Sequence, residues 1–591
     1  MRVLPLGSKR PIAGVLSLSI LTLALALPAS AQVENVQEIF LDNGMKVLLY
    51  PRQGDPNVAA GWIAHVGSVN ERPGITGMAH LFEHMMFKGT DVIGTKDIDE
   101  DLAIIKELDQ IRGEMQREQR RLDTAERRGE IEDASVPEAR TARHQELRTR
   151  FEELLARQKE LLVDNEFDKL YSAQGATGMN AGTSNDFTVY FINLPANKLE
   201  LWFWMESDRL ANPVFRQFYS ERDVVWEERR MRVDSTPTGR LDEEFDALFW
   251  KASPYSWPVI GWPSDLDTIT REEALAFYDR NYSPNNLTAA LVGDFDPAHA
   301  KRLAEKYFGR LKRSRFEPTP VRTFEPEQEM VKRFEGEAET RPTIRVRWHG
   351  VPHGHVDAPA LEALSSIMNG RTGRLYRSLV EDQGIASDAS AGVESRKYGG
   401  FVQLVGVAAD GYTPEDVEAA LYAELEKLQN EPVAERELQK VKNQTLAGNW
   451  RRLDGNFLIM IQLLIYDDAR DWRDMFTESD KLLAVTTADV QRVAKKYFPM
   501  DGRSIAVYRT KEKDENAPAD PLWDALNAQQ QQMASAMKAQ MASVTDPAQL
   551  EAALGQIAAG KSQAPPEVQP VLAWAESFVQ RKLAELRGGD S

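Results

Sequence analysis

The chain has 591 residues, 42% of them hydrophobic and 28% charged, with a formal net charge of −19 and no cysteine. That length accommodates several domains and a large core, and the acidity argues against nucleic acid as a partner. The absence of cysteine excludes disulfides, a thiolate metal site and a lipoprotein-type anchor.

Residues 1–31 read as a secretory signal peptide. Arg2, Lys9 and Arg10 make a positive start, residues 13–27 are an apolar run, and Ala29-Ser30-Ala31 is a small-residue cleavage site. The run is too short for a comfortable membrane span, and no later stretch is apolar for long enough to cross a bilayer. Cleavage would start the mature chain at Gln32 and shift its formal charge from −19 to −22 by removing those three basic residues. The expected location is the periplasm.

Strands are expected over 36–41 and 46–49 around an Asn43-Gly44 turn, then over 59–66. A Gly-containing stretch leads into His80-Leu81-Phe82-Glu83-His84. On a helix, His80 and His84 fall on one face, four residues apart, and two imidazoles so placed can grip one divalent ion, zinc being well suited. Glu83 lies on nearly the same face, where a carboxylate can take a proton from water. Ligands for a metal beside a general base are the parts of a metal-dependent hydrolase.

From about 97 to 167 charged residues dominate. Apolar residues recur at Ile104, Leu108, Ile111, Met115 and Leu122, then at Leu147, Phe151, Leu154 and Leu161, the seam of a coiled coil. A break containing Gly129 and Pro137 separates the runs, which predicts an antiparallel helical hairpin with arms of roughly 35–45 Å. Beyond it, residues 175–183 lead into an alternating strand over 186–193. The next chemically informative stretch is Glu221-Arg222-Asp223-Val224-Val225-Trp226-Glu227-Glu228. Glu221 and Glu228 are seven residues, about two helical turns, apart and face the same way; Glu227 falls on a different face. A catalytic zinc site uses three protein ligands and leaves one position open, so a carboxylate is needed beside the two histidines.

The H80-L-F-E-H84 motif with its M-x-F-K-G-T trailer, together with E221-R-x-V-V-x-E-E228, resembles the pitrilysin–insulinase (inverzincin) family of zinc peptidases. The bacterial periplasmic members, related to the mitochondrial processing peptidase, are the nearest in pattern. The resemblance spans roughly 36–511 without the hairpin. It implies an α+β fold of two homologous α/β-sandwich halves forming a clamshell, to which this chain adds the inserted hairpin and a helical C-terminal tail. It implies one zinc ion per chain held by His80, His84 and Glu228, with Glu83 activating water and Glu221 supporting a ligand histidine. It also implies that Asn180 and Ala181 contact substrate on an edge strand beside the metal. The 144 residues from His84 to Glu228 exceed the family's usual spacing, and the hairpin accounts for the excess.

From 330 to 511 strand and helix alternate again without a second H-x-x-E-H: strands over 343–348 and 400–408, helices over 358–368 and 413–429, and a further element at 370–379. His349, His353 and His355 cluster in a loop with no acid or helical frame to make a metal site of them. Family members often bring an Arg and a Tyr, seven apart, from this half to hold the substrate carbonyl; here Val380 and Ser387 occupy those positions. The expected domains are therefore a catalytic unit over 32–325 (hairpin 97–167), a metal-free unit over 326–511 and a helical tail over 512–591. The expected activity is endopeptidase cleavage of peptides or unfolded segments by a hetero- or homodimer, a heterodimer partner being a metal-free family member that carries the Arg/Tyr pair. The competing expectation is a non-catalytic assembly protein with a structural zinc and a docking hairpin.

Overall fold

A computed structural model of the chain describes residues 35–588 apart from 135, 137–138, 512–519, 543, 545–546 and 562–563. The expected signal peptide, residues 1–31, lies outside the described residues. Among those described, no helix is long and apolar enough to cross a membrane.

Two sheets organise the body. The first contains β1 (Gln37–Phe40), β2 (Lys46–Pro51), β3 (Asn57–Ala64), β4 (Thr177–Thr183), β5 (Thr188–Pro195) and β6 (Leu287–Gly293), in the order β1-β2-β6-β3-β5-β4. The second contains β7 (Lys332–Ala338), β8 (Thr343–His349), β9 (Ala386–Ser395), β10 (Gly400–Ala408) and β11 (Arg503–Thr510), in the order β7-β11-β8-β10-β9. In each sheet one parallel pair, β2 with β6 and β7 with β11, is followed by antiparallel neighbours. Without β1, the first sheet has the order and strand directions of the second, so the two units are topological duplicates.

The units interlock. β3 is almost wholly buried, because both its faces are covered, which explains its near-continuous apolar sequence. Val58, Ala60, Trp62 and Ala64 join the core of the first unit, while Ala59 and Ile63 meet Ile459, Met460, Leu463 and Leu464 of a helix (Asn456–Ala469) contributed by the second. That approach needs Gly61, where a Cβ would stand 2.8 Å from Met460 Sδ and from Tyr190 O. In return, the helix Gly239–Phe249 of the first unit packs on β7 and β11. There Phe245 is buried against Ala506 and Tyr508, and Asp242 accepts from Arg345 Nη1 (2.6 Å) and Tyr508 Oη (2.8 Å).

The hairpin is two packed helices, Ile98–Arg127 and Ala142–Leu161. At 1.5 Å per residue the first arm spans about 45 Å and the second about 30 Å, so the second is shorter than the sequence suggested. The apolar seam is buried between the arms and against the body. Outside it, Arg143, Arg150 and Arg157 pair with Glu114, Glu107 and Glu100 at 2.7, 2.9 and 2.6 Å, steps of seven in opposite directions along the two arms. Each exposed pair contributes only about 0.2–1 kcal/mol; the register is their structural content. At the base, Asp101 and Arg216 form a fully buried pair at 2.6 Å. The tail folds as helices Ala528–Ala542, Pro547–Lys561 and Gln569–Gly588 around Leu550, Val571, Trp574 and Val579.

Candidate metal centre

The H-x-x-E-H residues lie on an eight-residue helix, Met78–Met85. Met78, Leu81, Phe82 and Met85 bury its core face. It starts at Gly77, whose φ of +87° and whose missing Cβ, which would lie 2.6 Å from Ile260 O, both require glycine. Its first amides are satisfied from outside the helix. The buried Glu71 carboxylate accepts from Gly77 N (3.0 Å) and Ala79 N (2.7 Å), a negative charge where the helix dipole favours one. Burial nevertheless raises the Glu71 pKa well above the usual carboxylate range, against those amide bonds.

The second helix, Phe218–Arg229, packs on the first. Glu228 Oε2 stands 3.6 Å from His80 Nε2 and 3.3 Å from His84 Nε2. One ligand atom from each of the three residues can be chosen so that all lie within 4.8 Å of one another, and this is the group of three side chains able to hold a metal ion found among the described residues. Ligands at 2.0–2.1 Å around a tetrahedral zinc stand about 3.3 Å apart, so two imidazole nitrogens and a carboxylate oxygen at these separations fit zinc in spacing and in chemistry. The other oxygen of Glu228 forms an ion pair with Arg232 Nη1 at 2.8 Å. Glu227 turns outward to Arg230 (2.8 Å).

Glu221, two turns earlier, reaches His84 Nδ1 at 3.5 Å and accepts from Lys88 Nζ at 2.6 Å. The environment splits the two histidines. Burial, with the charges of His84 and Arg232, pushes the His80 pKa down to about 3 and keeps the ring neutral. Burial acts the same way on His84, but the Glu221 contact and the charges of Glu228 and Glu83 outweigh it and hold its pKa above the ordinary value. Glu221 is correspondingly held below its ordinary value by His84 and Lys88, against burial.

Glu83 accepts from Thr183 Oγ1 at 2.7 Å, which ties it to the end of β4. β4 is an outer strand of its sheet. On it Asn180 lies opposite Phe191 and Ala181 opposite Tyr190, and Asn180 Oδ1 accepts from Ala181 N (2.9 Å). In the second unit Val380 is half-buried against the core and Ser387 is the second residue of β9, its hydroxyl directed at Val407 O (3.4 Å). The histidines of the second unit are dispersed. His349 stacks on Phe249 at 4.2 Å, and burial pushes its pKa down to about 4. His353 packs edge-on against Tyr466, and His355 Nδ1 accepts from Asp357 N.

Sequence reasoning did not single out Glu71, Lys88, Thr183 or Arg232. Arg232 carries a signal, being four residues after a candidate ligand on a continuing helical stretch; Lys88, past the end of the motif helix, carries none of that kind. Glu71 and Thr183 reach the site through loop and strand placement and have none.

Residues 46–124 match the sequence profile of Insulinase (Peptidase family M16), and residues 268–445 that of the Peptidase M16 inactive domain. A relative from Helicobacter pylori, described as zinc protease PqqE, is 25% identical over 513 residues, covering 85% of this chain and 98% of the relative. Among solved structures, a protease from H. pylori superposes with a TM-score of 0.65 at 22% identity, covering 80% of this chain and 99% of that one. The periplasmic protease PqqL from Escherichia coli gives 0.60 at 18% identity over 84% of this chain and 49% of its own, so the chain matches about half of that protein. These likenesses, added to the duplicated sheets, are those of the two-half clamshell peptidases, and the chain belongs to the pitrilysin/insulinase (M16) family.

Proposed function

We propose that this chain is a zinc-dependent endopeptidase acting on peptides or unfolded segments. The observation that carries the reading is the convergence of His80, His84 and Glu228 with Glu83 alongside. Zinc held by those three side chains would polarise a carbonyl and lower the pKa of water. Glu83 takes the proton from the attacking water and returns it to the leaving amine, while Thr183 holds one of its oxygens. Glu221 fixes the orientation of the His84 ring, and Lys88 keeps Glu221 charged. An extended substrate adds to the outer edge of β4 past Asn180 and Ala181, main-chain pairing that tolerates many sequences.

Val380 offers no donor and Ser387 no guanidinium or phenol, so electrostatic support of the developing oxyanion falls to a second chain bearing an Arg and a Tyr. We assign the protein to the periplasm as the zinc-bearing member of such a pair. The missing donors also favour a second reading, a scaffold whose zinc is structural. Glu83→Gln separates the two: zinc retained with cleavage lost supports the peptidase, and unchanged cleavage contradicts the role of Glu83. Strong turnover by the purified single chain would contradict the need for a partner.

A further inference from the structure

The turn that joins β4 to β5, residues 184–187, directly follows Thr183, the residue that holds Glu83. It is fixed from two sides. Within the first unit, Val69 N donates to Asn185 O (2.9 Å) and Asn185 Nδ2 donates to Ser68 Oγ (2.9 Å). Gly67 permits that approach, since a Cβ there would stand 2.4 Å from Asn185 O. The other side belongs to the second unit. Asp186 Oδ1 accepts from Tyr255 Oη (2.8 Å), and Oδ2 accepts from the backbone N–H of Lys397 (3.1 Å), in the turn between β9 and β10. Tyr398 N donates to Tyr255 Oη at 3.1 Å, which closes a ring of hydrogen bonds across the two units.

The turn that supplies Lys397 is itself anchored. Lys397 Nζ pairs with Asp468 Oδ1 (2.9 Å), and the same oxygen meets His65 Nδ1 of the first unit at 2.7 Å. Burial opposes the ionisation of Asp468, but His65 and Lys397 hold its pKa below the ordinary value. Asp186 is held by neutral donors instead, and burial raises its pKa above the ordinary value. Taking a carboxylate from water for such donors is costly, but a carboxylate gives one acceptor oxygen to each unit, where an amide side chain has a single oxygen. We infer that the second unit holds the Glu83 carboxylate in place through this clasp, and that Asp186 is a positioning residue for proton transfer at the metal centre. The inference rests on the peptidase reading and gives the second unit a part in it. The path runs from Lys397 through Asp186 and the turn to Thr183 and Glu83. Displacing a reacting group by about 1 Å can cost about 100-fold in rate, so a path of this length suffices to govern turnover.

The test uses the full-length, zinc-loaded protein, with its partner chain if one co-purifies, and internally quenched decapeptides of mixed sequence. Asp186→Ala should lower kcat by about 10- to 100-fold with KM and zinc content unchanged. Asp186→Asn, which keeps one acceptor, should lose less. Tyr255→Phe, which removes one hydroxyl from the ring and is the milder change should Asp186→Ala not fold, should act in the same direction. Thr183→Val should lower kcat on the same scale. Combined with Asp186→Ala it should add little, because both substitutions act on Glu83. Hydrogen exchange without substrate reads the clasp independently of turnover. Amides of residues 177–187 should exchange about 10-fold faster in Asp186→Ala, the scale of one hydrogen bond, while those of β8 stay protected. Exchange that is unchanged, or that rises equally in β8, overturns the clasp. Losses of kcat that multiply in the double variant, or a loss of kcat/KM carried by KM alone, overturn the positioning of Glu83. No cleavage by the unmodified protein, with the local loosening of 177–187 intact, would remove the peptidase reading but keep the clasp.

Discussion

Glu221 serves His84 and Lys88 with different oxygens: Oε2 faces His84 Nδ1 at 3.5 Å, and Oε1 accepts from Lys88 Nζ at 2.6 Å. The His84 nitrogen turned toward Glu228 is therefore Nε2, and the ring is held in that orientation from behind. Partners of this kind usually change metal affinity by about 10–100-fold when removed. Glu221→Gln should accordingly weaken zinc binding by about that factor, measured by competition with a chromophoric chelator, with the circular dichroism spectrum unchanged. Glu228→Gln should lose stoichiometric zinc altogether.

The base of the hairpin and the loop after the motif helix share one buried charge. Arg216 pairs with Asp101 and also donates to Lys88 O, Ile93 O and Thr90 O at 2.9–3.0 Å, while Gln158 Nε2 donates to the other oxygen of Asp101 at 2.8 Å. Asp101→Ala would strand a guanidinium that has no access to solvent, a change that typically costs about 3–5 kcal/mol. The midpoint of guanidinium-induced unfolding should fall sharply. Asp101→Asn, which keeps an acceptor, should lose less.

Acid sensitivity in the second unit should centre on Asp357. Burial opposes its ionisation, but Tyr497 Oη (2.6 Å), Lys496 Nζ (2.9 Å) and Arg492 Nη1 (2.7 Å) all donate to it and hold its pKa far below the usual carboxylate range. A depressed folded-state pKa stabilises fully above the unfolded value, about 3.9, and the contribution is lost as pH falls from there toward the folded value. Asp357→Asn should therefore lower the melting temperature at pH 7, and the gap between variant and parent should narrow below about pH 4. A gap independent of pH would contradict this account.

Much of the architecture is legible in the chain because the relevant signals are local. The three-and-four spacing of His80, Glu83 and His84, the seven-residue step from Glu221 to Glu228, and the apolar seam from Ile104 to Leu161 all follow helical periodicity. Strands β2, β3, β5, β6, β8 and β10 are rich in Val, Ile and Leu or in aromatic residues. The outer strands are harder to read. β4 (TGMNAGT), β7 (KRFEGEA) and β9 (ASDASAGVES) are built from Gly, Ala, Ser and charged residues of low strand propensity, and pairing with an apolar neighbour is what makes them strands. β11 is apolar, but its place between β7 and β8 depends on contacts more than 150 residues away in sequence. Glu71 capping the motif helix, Thr183 on Glu83 and the Asp101–Arg216 pair are likewise products of folding that no sequence window contains.

The account depends on one cation shared by two helices, so the most direct measurement is an anomalous difference map at the zinc edge from crystals of the zinc-loaded protein. It should show a single strong peak per chain within about 2.0–2.2 Å of His80 Nε2, His84 Nε2 and one oxygen of Glu228. No peak there, or a peak bound by the histidines with the Glu228 carboxylate turned away, would contradict it.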